Sequence, residues 1–321
     1  MNKLKLFVLC LIFVFGSIVL LLEGCQVTNE QSEKTDEVDS GKIKIVTTIA
    51  QIAEPIEKIG GSYVEVKSLM GPGVDPHLYK ATQGDIETLQ KADIVFYNGL
   101  HLEGNMGEIF EKLKKSKKIL AIGETINENR LLKDEQGAID PHIWFDLDLW
   151  KDALNSATEI LKEYLPKHAE YFEQNKQNYF KQMDDLKAEA TEKLSSIPKK
   201  QRILVTAHDA FGYFGRMYDI EVVGLQGLST EDEVGLSDIQ STVELLIEKQ
   251  VPAVFVESSI NPKSIQAVIE GASKAGLKVE LGGELFSDAM GEAGTEEGTY
   301  LGMYRHNVNM IYEALKGESK S

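Results

Sequence analysis

At 321 residues the chain is long for one compact core and comfortable for two lobes. Its 42% hydrophobic and 26% charged residues are the mix of a folded soluble protein. The balance of 34 basic against 51 acidic side chains, a formal charge of −17, speaks against a nucleic-acid partner, because phosphate contacts need a basic face.

The N-terminus departs from that soluble pattern. Lys3 and Lys5 precede an apolar run over residues 6–22, broken only by Gly16 and Ser17. A basic start followed by such a core is an export signal, with a permanent membrane span as the alternative. Leu22-Glu23-Gly24-Cys25 decides between them, because it resembles the lipobox of bacterial lipoproteins, although Glu23 departs from the usual small or apolar residue. Residues 1–24 are therefore expected to be a lipoprotein signal peptide, and Cys25 the acylated first residue of the mature chain. The other cysteine, Cys10, lies inside the export segment, so the mature fold has neither a disulfide framework nor a thiolate metal site. Residues 25–41 are polar and acidic and read as a flexible tether.

From Lys42 the pattern is alternating strand and helix. Buried or alternating strands are predicted at residues 43–48, 63–69, 94–97 and 118–122. Helices are predicted between them, one ending at Gly60-Gly61 and others over 85–91 and 108–115. Strands separated by crossover helices imply a parallel sheet. A helix over 148–164 follows, and Pro166 is placed to open a second that runs to Ser195. Phe172, Tyr179, Met183, Leu186, Ala190 and Leu194 give that second helix one apolar stripe. A single stripe without sustained heptads argues for a helix laid across two lobes rather than a coiled-coil dimer, and the chain is expected to be a monomer.

After Ile197-Pro198 the alternation resumes. Strands are predicted at 203–206, 221–224, 253–257 and 278–281. Ser237 is placed to cap a helix through Lys249, Asn261-Pro262 to begin one ending near Gly276, and a last helix spans 299–315. The expected fold is α/β, with two Rossmann-like lobes of parallel sheet joined by a long rigid backbone helix. Residues 42–165 form the N-terminal lobe, 166–196 the linking helix and 197–321 the C-terminal lobe.

Of the six histidines, two stand in the same tripeptide, Asp75-Pro76-His77 and Asp140-Pro141-His142. Each proline stiffens the backbone and bars helix at the preceding aspartate, so each histidine is presented from a rigid loop. His208 is expected immediately after the strand at 203–206, and Asp288 in the loop beyond the strand at 278–281. The carboxyl ends of parallel strands are where open α/β sheets place ligands. Any one of these residues alone would ordinarily be a loop or core hydrogen-bonding group. Two from each half, on one edge, make a four-residue site in the interlobe cleft. Three imidazoles and a carboxylate suit zinc tetrahedrally, and suit manganese if the carboxylate binds through both oxygens. Glu257 and Asp209 are candidates for supporting the ligand histidines, with ordinary strand-end solvation as their plainer reading. His168 and His306 fall in predicted helices and read as surface or packing residues, while His101 follows a strand and is left open.

With these residues in hand, the chain resembles the cluster A-I solute-binding lipoproteins of manganese and zinc ABC transporters. The likeness runs through the paired Asp-Pro-His motifs, the stretch Thr206-Ala207-His208-Asp209-Ala210-Phe211-Gly212-Tyr213-Phe214, Val256-Glu257 and Phe286-Ser287-Asp288. The resemblance implies His77, His142, His208 and Asp288 as metal ligands, and Mn2+, alternatively Zn2+, as the ion. It also implies an ABC permease and its ATPase as partners, and a place on the extracytoplasmic face of the cell membrane. No His- and acid-rich tract lies between Lys80 and Ile139, and the segment from Gly298 to Asn307 looks like the manganese-type members, so manganese is favoured. No P-loop is present, and the energy for transport must come from a separate chain. A metal-dependent hydrolase is the competing class, with Glu257 as its base, but four protein ligands leave zinc no open position. A surface adhesin is a further alternative that no feature of the chain marks.

Overall fold

The computed structural model describes residues 41–316, so the expected leader, Cys25 and the tether up to residue 40 lie outside the described residues. Four parallel strands form the first sheet: β1 (Ile43–Thr47), β2 (Val64–Ser68), β3 (Ile94–Tyr97) and β4 (Lys118–Ala121), in the order β2-β1-β3-β4. All four residues of β3 are buried, as a strand covered on both faces requires. The covering helix α1 (Ala50–Gly60) turns Ile52, Ile56 and Ile59 inward at helical spacing and stops at Gly61, whose φ of 54° a side-chain-bearing residue adopts at a cost. Helices α2 (Gln83–Lys91) and α3 (Gly107–Leu113) complete this half. Thr82 and Asp85 cap α2 reciprocally, so the helix begins before the predicted Asp85.

Helix α4 (Leu147–Tyr164) is capped by Asp146, which accepts from the backbone of Asp148 and Leu149. Pro166 opens a short 3-10 turn rather than the long helix itself, and α5 then runs Ala169–Ser195. Its 27 residues give about 40 Å. The predicted stripe is buried, and Lys176 joins it by donating to Asn155 and Glu173. One side of α5 packs on α1 and α4, and the same helix reaches the C-terminal helix α9 (Tyr300–Leu315), so it spans both halves.

The second half carries β5 (Ile203–His208) paired with β6 (Glu221–Gln226), and β7 (Ala253–Glu257) paired with β8 (Glu280–Leu285), all parallel, with β5 beside β7. Helices α6 (Gly212–Tyr218), α7 (Leu236–Lys249) and α8 (Lys263–Lys274) connect them. Three expectations are corrected. β5 continues through His208, so that residue ends the strand rather than following it. Strand β8 lies later than the predicted 278–281 and continues through Gly282 and Gly283; a Cβ on Gly282 would meet the Phe255 ring at 2.6 Å, so the glycine marks close packing and not a turn. Ser237 does not cap α7, because Gly235 holds the cap position and its N–H donates to Asp238.

Two cores result. A small one fills the second half around Val205, Leu246, Val254, Ile265 and Val268. The larger one runs from the first sheet across both halves and ends in an aromatic wedge of Trp144, Phe145, Trp150, Phe211, Phe214, Tyr300 and Tyr304. Tyr300 donates to the Trp144 carbonyl and Tyr304 to the Phe145 carbonyl, which fastens α9 to the loop that follows His142. Among the described residues no helix is long and apolar enough to cross a membrane.

Candidate metal centre

His77, His142, His208 and Asp288 meet at one point, with one ligand atom from each lying within 4.8 Å of all the others. All four are buried, and Asp288 stands at the middle. Its Oδ2 is 3.5 Å from His77 Nε2 and 3.3 Å from His208 Nε2, and its Oδ1 is 3.4 Å from His142 Nε2. The three Nε2 atoms and both carboxylate oxygens have no hydrogen-bond partner. Each such buried atom costs about 1–3 kcal/mol when left unsatisfied. A cation at the common point would engage all five.

Local sequence explains how each side chain arrives there. In the first half the aspartate two residues before each histidine folds back onto it. Asp75 Oδ1 accepts from the His77 N–H at 2.8 Å, and Asp140 Oδ1 accepts from the His142 N–H at 2.9 Å. Asp140 Oδ1 also lies 2.7 Å from His142 Nδ1, which points Nε2 at the centre. Tyr213 donates to the Asp140 carbonyl, and Gly212 leaves room for the second Asp140 oxygen, which a Cβ there would meet at 2.8 Å. Asp75 Oδ2 accepts from the Thr230 hydroxyl at 2.5 Å, a bond that crosses between the halves.

In the second half the support comes from a neighbouring strand. Glu257, the last residue of β7, accepts the His208 N–H on Oε1 at 2.8 Å. Its Oε2 stands 2.6 Å from His208 Nδ1 as an ion-pair contact. Carboxylate, imidazole and the common point of the four side chains thus line up in the arrangement by which metal centres orient a histidine ligand. Asp288 follows β8 by three residues, and the preceding Ser287 carbonyl accepts from both Gln51 Nε2 and Trp144 Nε1, each at 3.2 Å. The carboxylate of this half is therefore anchored to the other one.

Charge is distributed unevenly. Burial holds the His77 imidazole down at about 4, and the neighbouring imidazoles of His142 and His208 add to this against the pull of Asp288. Burial also opposes charge on His208, but Glu257 and Asp288 outweigh it and raise the group well above the usual histidine range. Burial alone would raise Asp288, yet the three imidazoles hold its carboxyl well below the usual carboxylate range.

Asp209 extends beyond β5 beside Gly224 and Gln226. Its carboxyl is raised by burial and then by the like charge of Asp140, while the His142 and His208 imidazoles pull it down, so it is within electrostatic reach of both rings. His168 stacks on Tyr63 with ring centroids 3.9 Å apart, and His306 Nε2 is bonded to the Glu284 carbonyl. His101 is exposed, in a turn with φ of 67°. Sequence reasoning passed over Asp140, although its place two residues before a histidine was a signal. Gln51 and Trp144 carried none, since their partner lies far away along the chain.

Comparison with known proteins follows the same lines. The family model for the periplasmic zinc-uptake complex component A matches residues 45–314. The manganese-binding lipoprotein MntA of Bacillus subtilis is 48% identical over 296 residues, which is 92% of this chain and 95% of the relative. The zinc-binding protein TroA of Treponema pallidum is 48% identical over 280 residues, 87% of this chain and 91% of the relative. A solved structure of that periplasmic zinc-binding protein superposes with a TM-score of 0.84 over 86% of this chain and 99% of its own.

Proposed function

The chain belongs to the family of periplasmic zinc-uptake component A proteins, and from that premise we propose that it is the receptor lipoprotein of an ATP-driven importer. It captures one divalent metal ion between its lobes and delivers it to a membrane permease. The observation that carries this reading is the set of five buried, unpartnered ligand atoms facing one point. Three imidazole nitrogens and a carboxylate are the donors of a borderline divalent cation, and one ion at their common point would satisfy all of them at once.

Manganese is the preferred cargo and zinc the second choice. Both Asp288 oxygens face the centre and neither is bonded elsewhere, which supports a two-oxygen grip and five donors rather than a tetrahedral four. Among the similar proteins one is named for manganese and another for zinc. Intrinsic affinity favours zinc at any such site, so selection for manganese would rest on geometry and supply. The leader and Cys25 would hold the protein on the extracytoplasmic face, where the permease and its ATPase are the partners. Hydrolysis is the weaker reading, because all the donors converge and Glu257, the one candidate base, is spent on His208.

Elemental analysis of protein purified without chelators, followed by competitive manganese and zinc titration, tests the proposal. One equivalent of tightly held cation is expected, together with silence in a hydrolase screen. Absence of any tight divalent site would end it, and a zinc preference that persists when manganese is in large excess would reverse the order of the two metals.

A further inference from the structure

The strand β3 is followed by a turn with an unusual backbone. Gly99, Leu100 and His101 have φ of 75°, 55° and 67°, three successive left-handed residues. For the two that carry side chains this conformation costs on the order of 1–2 kcal/mol each, so the turn needs something to hold it. Glu103 does so from within. It is buried, its Oε1 accepts from the Thr48 hydroxyl at 2.6 Å and from the Asn98 N–H at 2.8 Å, and its Oε2 accepts from the Gly99 N–H at 3.0 Å. One carboxylate thus ties the end of β1 to both residues that leave β3.

Two amide side chains of the same turn reach outward to the ligand loops. Asn98 Nδ2 donates to the Pro141 carbonyl at 3.0 Å, at the peptide joining Pro141 to His142. Asn105 Nδ2 donates to the His77 carbonyl at 2.9 Å. The two Asp-Pro-His loops are far apart in sequence and each is braced internally by its own aspartate, but their position relative to one another passes through this turn. Glu103 itself touches no ligand atom.

We infer that Glu103 is a positioning residue for the metal centre: by locking residues 98–105 it sets the spacing between the His77 and His142 loops. This rests on the reading of those histidines as metal ligands, but its mechanical part is a property of the metal-free chain. A carboxylate suits the place because three donors converge on it and in its ionised form it offers acceptors only; burial pushes the group up to about 7, the three donors pulling against this. An amide in its place would turn an NH2 group toward one of those donors and leave it unpaired.

The test uses the full chain with Glu103→Gln and, as a milder probe, Thr48→Val, which removes one hydroxyl donor at nearly constant volume. Hydrogen exchange is followed in metal-free protein over residues 74–80 and 139–145, with residues 203–208 and 253–257 of the second half as reference. Exchange at both ligand loops is expected to quicken about tenfold in Glu103→Gln, the effect of one lost hydrogen bond, while the reference segments hold their wild-type rates. Cation affinity should fall by about 10–100-fold, as for other groups that orient ligands. If Glu103→Gln fails to fold, Thr48→Val decides the test with a smaller shift of the same pattern. Wild-type exchange at both loops, or acceleration spread evenly over loops and reference segments, would overturn the inference. A wild-type chain that binds no divalent cation refutes the receptor reading instead, and the exchange pattern still decides this one.

Discussion

The two halves of the molecule aim their histidines by different means. In the first half the bracing carboxylate is local: Asp75 and Asp140 each sit two residues before the histidine they hold, with a proline between to stiffen the loop. In the second half His208 ends a buried strand, and Glu257 reaches it from the next strand, 49 residues along the chain. A local brace survives small movements of the rest of the protein because its two ends move together. A remote brace works only if β5 and β7 already lie side by side. The first half therefore carries its ligand geometry in the loop, and the second half carries it in the sheet.

The largest expected effect breaks the second half at its ligand. Replacing His208 with Ala removes one of the four proposed ligand side chains, and if structural sites of this size gain about 10–16 kcal/mol from four ligands, affinity should fall on the order of a hundredfold to a thousandfold. The fold should persist, since the ring stands among His77, His142, Asp288 and Glu257, polar groups of the centre rather than the apolar packing of either core. Calorimetric titration checks this, and unchanged binding would remove His208 from the centre.

The braces come next, and they set the comparison directly. Glu257→Gln and Asp140→Asn should each weaken cation binding by about 10–100-fold, with Glu257→Gln the more damaging. Glu257 uses both oxygens on one residue, whereas Asp140 places a single oxygen on the backbone and ring of His142. Equal losses in the two variants, measured under one set of conditions, would erase the distinction between local and remote bracing.

Acidity separates the halves as well. The folded chain raises His208 well above its ordinary 6.5, so in the metal-free protein its contribution to stability is complete below 6.5 and is lost as pH rises through the raised value. His77 runs the other way: with a folded value of about 4, its contribution is present above 6.5 and is lost as pH falls through 4. A cation must displace the proton on His208 but finds His77 already neutral. Binding should therefore release about one proton near neutral pH, and affinity should climb with pH from 6.5 upward rather than level off at the ordinary histidine range. Calorimetry in buffers of different ionisation enthalpy reads the proton count, and a count of zero at pH 7 would refute the assignment of charge to His208.

The smallest effect sharpens the link between halves. Trp144→Phe removes one of the two donors to the Ser287 carbonyl while keeping most of the ring, and should cost about two- to tenfold in affinity. A loss as large as that of His208→Ala would mean that the aromatic wedge, and not the ligands, dominates the site.

Much of this was legible from the chain alone, and the exceptions are instructive. The strands of the first sheet were visible because their apolar runs are short and bounded, and β3 was found to the residue. Strand β8 was read too early because Gly282 and Gly283 look like turn residues. They are in the strand because Phe255 and the helix α9 pack so close that a side chain would not fit. His208 was placed past its strand because Thr206 and Ala207 weaken the apolar run, whereas ladder pairing with β6 carries the strand to its end. Of the two candidate supports, Glu257 stands in close contact with His208, while Asp209, just past the end of β5, acts on His142 and His208 only through charge.

What the amino-acid order determined by itself was therefore the alternation of strand and helix, the apolar stripe of the long helix, and two histidines presented by Asp-Pro-His. All of these depend on neighbours within a few residues, where periodicity and backbone stiffness act. What only the tertiary structure decided was the convergence of His77, His142, His208 and Asp288 on one point, the pairing of Glu257 with His208, and the anchoring of Ser287 by Gln51 and Trp144. Those contacts join residues tens to hundreds of positions apart, and they exist because burying three sheets and one long helix leaves few arrangements in which every buried polar group meets a partner.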